Sequence, residues 1–356
     1  MRVAVIQLAY TDSEPMGARI ERVASLVEAQ KGADLVVLPE LWSAGGFDYP
    51  AWNEKAQSIE GPVARALSEA AANVGAFVHA GSIIEKPGEP GPEGRGLWNT
   101  SLVFDRDGDL VGTYRKIHRF GFGNGEPKLL EAGDEVVVLD LALGDGDEGV
   151  TGGDLADDAV ADGAVCDPTT PEACGESSQS EWAMAAETAG VDLEDGDGIS
   201  IDAGDPGEKS RGAQGAGDAE SAGSAPQGAG DAARPGHVKI GLSTCYDLRF
   251  PELYRRQVDA GAQVFVIPAA WPSARVAAWR TLLQARAIEN QVFVIACNTA
   301  GTHAGTEMGG NSAVISPMGE VLAEAGRGER TITIDIDLDD VATARAAFPV
   351  LADRRL

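Results

Sequence analysis

Apolar residues in this chain follow two alternating periods, and the alternation begins at once. Arg2 to Ala9 reads as a strand, Met16 to Gln30 sets Met16, Ile20, Val23, Ala24 and Val27 on one helical face, and Asp34 to Leu38 is a short, buried strand. Pro62 opens a helix to Val74, and a strand follows through Ala76 to Ile84. Thr100 to Phe104 and Asp109 to Tyr114 flank Asp105-Arg106-Asp107-Gly108 as a hairpin, and Glu135 to Leu141 is a further strand. The pattern resumes after Pro235. His237 to Leu242 is a strand, Pro251 and Glu252 suit a first helical turn, and Gln263 to Ile267 is a strand. A helix from Ala274 to Asn290, a strand from Gln291 to Cys297, and hairpin-like strands at Asn311 to Ser316, Glu320 to Glu324 and Arg330 to Asp335 complete an α/β pattern.

Between these halves, from Gly144 to Pro235, periodicity gives way to Gly, Asp, Ala, Ser and Glu. Such a composition cannot bury enough apolar surface to offset chain entropy, so the stretch is expected to be disordered. A patch around Trp182, Ala183 and Met184 is its one candidate for local structure or partner contact, against a solvated, inert linker. Strands on both sides are needed to complete a sheet. The expectation is therefore one domain over 1–356 with 144–235 as an insertion within it.

Charge follows the same division. The formal net charge is -28, but 144–235 holds 22 acidic residues against Lys209, Arg211 and Arg234, leaving the rest only mildly acidic. An acidic chain without a basic stripe argues against nucleic acid and anionic membranes as partners. The first apolar run is too short for a signal sequence, and no stretch approaches the length of a membrane span. Cys166, Cys174, Cys245 and Cys297 do not resemble a disulfide framework, which points to a reduced, cytoplasmic protein.

Chemistry gathers where strands end abruptly. Cys245, in Ser243-Thr244-Cys245-Tyr246-Asp247-Leu248-Arg249-Phe250-Pro251-Glu252, stands between a strand and a helix start, where helix-end potential would favour a thiolate. A buried, inert thiol is the plain alternative. Glu40 follows the strand of Leu35-Val36-Val37-Leu38-Pro39 directly, Lys116 ends the strand of Gly112-Thr113-Tyr114-Arg115, and Glu126 lies in the turn-rich loop Gly123-Asn124-Gly125-Glu126-Pro127. Each of these could be a solvated strand end or loop residue. His118 and His303 make no convincing partner for a cysteine, no spacing suggests zinc, and Cys297 reads as packing.

Taken in order, Glu40, Lys116, Glu126 and Cys245 resemble the nitrilase (carbon-nitrogen hydrolase) superfamily, whose triad is Glu, Lys, Cys. The similarity extends to LPELW around Glu40, YRKIH around Lys116 and TCYDLRFPE around Cys245. It includes Gly81-Ser82, Asn99-Thr100-Ser101, Arg286-Ala287-Ile288-Glu289-Asn290 and Phe348-Pro349-Val350. It spans about 1–143 and 236–356 and leaves the acidic stretch outside. Tyr-Asp after the cysteine resembles the amidase-type branches, in particular omega-amidases; true nitrilases tend to carry Trp-Glu there.

The resemblance implies a four-layer α-β-β-α sandwich and a homodimer, with neither metal nor organic cofactor. It implies Cys245 as nucleophile, Glu40 as base, Lys116 as oxyanion partner and Glu126 as the residue orienting Lys116 and the amide, with the Tyr246 N–H as second oxyanion donor. Arg249 lies where related carbamoyl-amino-acid hydrolases hold a substrate carboxylate; a salt bridge fixing the elbow is the alternative. Trp271, ending the next strand in Pro268-Ala269-Ala270-Trp271-Pro272, is a pocket wall or a core residue. The expected reaction is hydrolysis of a small linear amide, such as a carboxylate-bearing omega-amide, through a thioester. The alternatives are an N-carbamoyl-amino-acid hydrolase and an idle scaffold that binds partners through the acidic insertion.

Overall fold

The central strands divide their side chains between two cores. In β1 (Arg2–Gln7) Val3 and Val5 enter one apolar cluster, while Ala4 and Ile6 enter another. In β8 (Val264–Ala269) Val264 and Val266 join the first of these clusters, whereas Phe265 and Ile267 join a third. A strand buried on both faces needs an apolar residue at every position, which is why these segments read as continuous apolar runs. The shared cluster lies between two sheets. The second cluster packs helices Met16–Glu28 and Pro62–Val74 on one sheet, and the third packs helices Pro251–Asp259 and Val276–Asn290 on the other. The result is the four-layer α-β-β-α sandwich. Each large side chain fully buried in these layers contributes roughly 1.5–3 kcal/mol.

The coordinates are those of a computed structural model, which describes residues 1–121, 125–143 and 236–355. All of these belong to one compact unit, Met1–Glu148 with Asp231–Leu356. The expectations for 144–235, including those for Trp182, Cys166 and Cys174, lie outside the described residues.

The first sheet continues from β1 with β2 (Leu35–Val37), β3 (Phe77–Glu85), β4 (Trp98–Phe104) and β5 (Leu110–Arg115), and β14 (Arg330–Asp335) pairs with the free edge of β1. The second contains β6 (Val138–Ala142), β7 (His237–Leu242), β8, β9 (Phe293–Asn298), β12 (Ala313–Ile315) and β13 (Val321–Glu324), with β13 and β6 at its edges. In each sheet three central strands run parallel: β1, β2 and β3 in one, and β7, β8 and β9 in the other. Their carboxyl ends face the same way, and the loops that leave them hold the chemistry. β6 pairs directly with β7, Leu141 opposite Val238, and Leu143 donates to the Gly236 carbonyl at 2.7 Å.

Boundaries differ from the sequence reading where tertiary contacts decide them. The helix expected from Ala274 begins as a 3-10 turn, Ser273–Arg275, before Val276–Asn290. Gln291 takes a left-handed φ of 49° and closes that helix, so the next strand starts at Phe293. The short helix Trp52–Lys55 has no periodicity to announce it; it forms around Trp52, whose indole is buried and donates to the Gly45 carbonyl at 2.8 Å. The two-residue strands β10 (Thr302–His303) and β11 (Thr306–Glu307) and the helix Asp339–Ala347 were likewise not foreseen.

Burial pushes the pKa of His79, in β3, from 6.5 down to about 4, and its Nδ1 accepts the Gly81 N–H at 3.2 Å. The unfolded chain protonates this ring near 6.5 while the native state resists until about 4, so its stabilisation is complete above 6.5 and fades as pH falls through that window. At 1.36 kcal/mol per pH unit the full loss is roughly 3 kcal/mol. Burial lowers His303 to about 4 as well, adding in the same direction. Calorimetric melting temperatures should therefore fall between pH 6.5 and 4, and the His79→Gln variant should show a shallower fall.

Candidate active site

The backbone at Cys245 is strained, and several contacts hold it so. Cys245 has a φ of 48°, a left-handed conformation that costs a non-glycine residue about 1–3 kcal/mol and persists only when its surroundings over-determine it. Here Asp247, fully buried, accepts the Thr244 N–H at 2.8 Å, the Tyr114 hydroxyl at 2.7 Å and the His118 N–H at 2.9 Å. One carboxylate thus ties the 3-10 turn Cys245–Arg249 to the end of β5 in the opposite sheet. Behind the turn, Arg286 donates to the Leu248 carbonyl at 3.1 and 2.8 Å, and Glu289 holds Arg286 at 2.8 Å. That is the physical content of the Arg286–Asn290 motif.

Glu40 is aimed by a second tight turn. Leu41 has a φ of 46° and donates its N–H to Ser82 Oγ at 3.1 Å, while the Trp42 indole donates to the Ala80 carbonyl at 2.9 Å. Gly81, with a φ of 68°, makes room: a Cβ there would lie 1.9 Å from the Pro39 carbonyl oxygen. The Glu40 carboxylate then crosses to the second sheet, where the Ala270 N–H donates to Oε2 at 2.8 Å. Lys116, just past β5, places its ammonium 2.8 Å from Glu40 Oε1 and 2.9 Å from Glu126 Oε1. Asn99 donates to both of these oxygens, at 2.8 and 3.2 Å. The Phe120 N–H donates to Glu126 Oε2 at 2.6 Å. Glu40, Lys116, Glu126 and Cys245 are all buried.

Electrostatics overturn one expectation. Burial, followed by the charge of Glu40, pushes the Cys245 thiol well above its usual pKa of 9.0, and Lys116 opposes this only in part. The resting group is a neutral thiol hydrogen-bonded to Glu40, not the thiolate expected from a helix-end potential. A turn of five residues in 3-10 geometry carries little dipole, and a nearby carboxylate outweighs it. Burial alone would lower the Lys116 pKa, but Glu126, Glu40 and Cys245 together hold it well above 10.5. Burial raises that of Glu126, against the pull of Lys116.

The four residues open onto a cleft lined also by Phe47, Tyr49, Phe120, Tyr246, Arg249 and Trp271. Tyr246 packs edge-on to Phe120 and Phe250, with ring centroids 5.4 and 5.2 Å apart. Trp271 is both a wall and a core residue: buried, with its N–H donating to Asn298 Oδ1 at 2.6 Å and its indole to the Arg275 carbonyl at 2.8 Å. Arg249 makes no ion pair among the described residues, which removes the elbow-fixing salt bridge; its guanidinium lies over the Trp271 ring, 5.0 Å from the centroid. His118 pairs with Asp247 at 2.8 Å, His303 stacks on Tyr10, and Cys297 Sγ packs in the inter-sheet core against the Ile6 carbonyl at 3.3 Å. Among the described residues no cluster of His, Cys, Asp or Glu could hold a metal ion, and no helix is long and apolar enough to cross a membrane.

Sequence reasoning missed Asn99, the Ala270 N–H, Asp247 and Arg275. Asn99 and Asp247 lay inside motifs already singled out, but nothing in their spacing told that Asn99 would bridge two glutamates or that Asp247 would bridge two sheets.

An α-β-β-α sandwich that gathers a buried cysteine, a lysine and two glutamates in one cleft is the architecture of nitrilase-like C–N hydrolases. A CN-hydrolase superfamily protein from Xanthomonas campestris, solved with an arsenic adduct in its active site, superimposes with a TM-score of 0.66 at 25% identity, covering 100% of this chain and 97% of that one. This chain belongs to the carbon-nitrogen hydrolase family, which it matches over residues 2–193 and 208–346, a broader span than its motifs suggest. It is similar to the 2-oxoglutaramate amidase of Paenarthrobacter nicotinovorans, with 36% identity over 353 residues, 99% of this chain and 89% of that protein. The 2-oxoglutaramate amidase of Bacillus subtilis is 28% identical over 337 residues, 94% of this chain and 91% of that protein. The protein is thus an enzyme that hydrolyses C–N bonds of amides.

The thiol's reactivity tests these electrostatics. Iodoacetamide labelling of the Cys245 peptide, followed by mass spectrometry, should be slow at neutral pH and rise only above pH 9.0. Because Glu40 raises the thiol pKa, Glu40→Gln should shift the labelling midpoint to lower pH.

Proposed function

We propose that the enzyme hydrolyses the terminal amide of a small 2-oxo acid, 2-oxoglutaramate, to 2-oxoglutarate and ammonia through a Cys245 thioester. The observation that carries this reading is the cleft itself: a thiol, a carboxylate base and an ammonium lie at one end, and the Arg249 guanidinium lies free of any carboxylate among the described residues. The named activity of the relatives agrees with it.

In this mechanism Cys245 Sγ adds to the amide carbon as Glu40 takes its proton, so a thiol that is neutral at rest is deprotonated only as it attacks. The carbonyl oxygen becomes an oxyanion, met by the Lys116 ammonium and the Tyr246 N–H. Glu40 returns the proton to nitrogen, the C–N bond breaks and ammonia leaves. Water, deprotonated by Glu40, then attacks the thioester; the carboxylic acid departs and the proton returns to sulfur. Glu126 and Asn99 keep the ammonium in register, and Ala270 keeps the carboxylate facing the sulfur. No step calls for a metal or organic cofactor.

The direct test is ammonia release from 2-oxoglutaramate set beside simple amides, nitriles and N-carbamoyl amino acids. The wild type should favour the first, Cys245→Ala should abolish turnover without lowering the melting temperature appreciably, and trapped acyl-enzyme mass should sit on the Cys245 peptide. Preference for carbamoyl substrates, or mass on another residue, would refute the reading.

The proposal extends to organisation. Stretch 144–235 is an insertion within a single catalytic domain, a reading supported by the direct β6–β7 pairing across it. A homodimer is supported by an exposed apolar face at Ile288, Met318 and Phe348, and a thiol nucleophile suits the reducing cytoplasm. Replacing 144–235 by a short turn should preserve turnover, and sedimentation velocity should report a dimer for both proteins.

A further inference from the structure

Arg275 is the cleft residue whose chemistry the mechanism leaves unused. It is half-buried in the 3-10 turn Ser273–Arg275, its guanidinium lies 5.1 Å from the centroid of the Phe120 ring, and among the described residues no carboxylate pairs with it. Arg249 lines the same cleft from the elbow, over the Trp271 ring. The two are close enough to act on one another: burial and then the charge of Arg249 hold the Arg275 pKa below its usual value, while Cys245, Tyr49 and Tyr246 act in the opposite direction. Two like charges, neither neutralised, therefore share one wall of a cleft whose reacting end carries two carboxylates and a single ammonium.

This arrangement fixes which way a substrate can lie. A carboxylate near Glu40 and Glu126 would be repelled, and an amide nitrogen at the arginines would leave Cys245 without a carbonyl. A bound ω-amide must therefore put its acid end on the guanidiniums. Two guanidinium forks also offer more N–H donors than a lone carboxylate can use. A 2-oxo group beside the carboxylate supplies a further acceptor oxygen, whereas a 2-ammonium group would bring a third positive charge to the same wall.

We propose that Arg275 is a specificity residue that, with Arg249, forms a two-guanidinium clamp for the acid end of the substrate and thereby selects 2-oxo and unsubstituted ω-amic acids over 2-amino acids such as glutamine. The inference rests on the ω-amidase reading above and names the discrimination made at that same site. Arg275 acts on the substrate's charge at the end remote from the reaction, so its loss should register mainly in KM.

The experiment compares kcat/KM for 2-oxoglutaramate, glutaramate, L-glutamine and the uncharged pentanamide in the wild type, Arg275→Gln and Arg275→Lys. The ratio of glutaramate to pentanamide should fall roughly 10- to 100-fold in Arg275→Gln, the range for a lost charge-assisted hydrogen-bonded contact. Arg275→Lys should recover part of that loss. The handicap of L-glutamine relative to glutaramate should shrink in Arg275→Gln. A glutaramate-to-pentanamide ratio unchanged in Arg275→Gln would overturn the proposal. A binding measurement guards against a folding defect: calorimetry of 2-oxoglutaramate, glutaramate and L-glutamine with the inactive Cys245→Ala protein should rank the amino acid weakest, and Cys245→Ala/Arg275→Gln should lose affinity for the first two. Equal affinities for all three amides in Cys245→Ala would also overturn it. Failure of the ω-amidase reading looks different, since the wild type would then cleave pentanamide at least as well as glutaramate.

Discussion

One ammonium holds this site together. Lys116 lies buried between Glu40 and Glu126, within 2.9 Å of both. Two carboxylates and a cation withdrawn from water carry a desolvation cost of several kcal/mol per ion unless each oxygen is paired, and here the pairing is close to complete. Asn99 donates to both glutamates, the Ala270 N–H closes Glu40 from the opposite sheet and the Phe120 N–H closes Glu126. Each donor comes from a different element, so the network is satisfied only when both sheets are in register. The sandwich and the site therefore depend on the same geometry.

The second dependence is the strain at Cys245. A left-handed cysteine is held by Asp247, which reaches β5 through Tyr114 and the segment just past it through His118, and by Arg286, which holds the far end of the turn. Glu40 rests on a comparable device, a left-handed Leu41 braced by Ser82 and given space by Gly81. Nucleophile and carboxylate thus stand on tight turns at the carboxyl ends of parallel strands, one in each sheet. Burial first, and then their mutual approach, raise the thiol pKa, the electrostatic consequence of putting a base beside a thiol in a dry site.

Much of this was legible locally. The central strands announced themselves because a strand buried on both faces must be apolar throughout, and the helix Pro62–Val74 because a proline opens it; in the structure Gly75 closes it in a left-handed conformation. Glu40, Lys116, Glu126 and Cys245 were legible as a set because their flanking motifs resemble a known family. The short helix at Trp52 and the 3-10 start at Ser273 were not, since neither has a period and both follow from what they pack against. The charge state of Cys245 was misread because the depth of burial is a tertiary property: desolvation, and then the charge of Glu40, outweigh Lys116 and the helix end.

By itself the sequence determined which segments bury both faces and which reactive side chain follows them, because these depend on residues within a few positions of one another. The tertiary structure alone decided that Asn99 would serve two glutamates, that Ala270 would hold Glu40, that Asp247 would join the elbow to β5, and that Arg249 and Arg275 would share a wall without a counter-charge among the described residues. Hydrogen bonds and charges act over a few ångströms of space with no regard for separation along the chain, so they become readable only when two sheets, folded from distant segments, face each other.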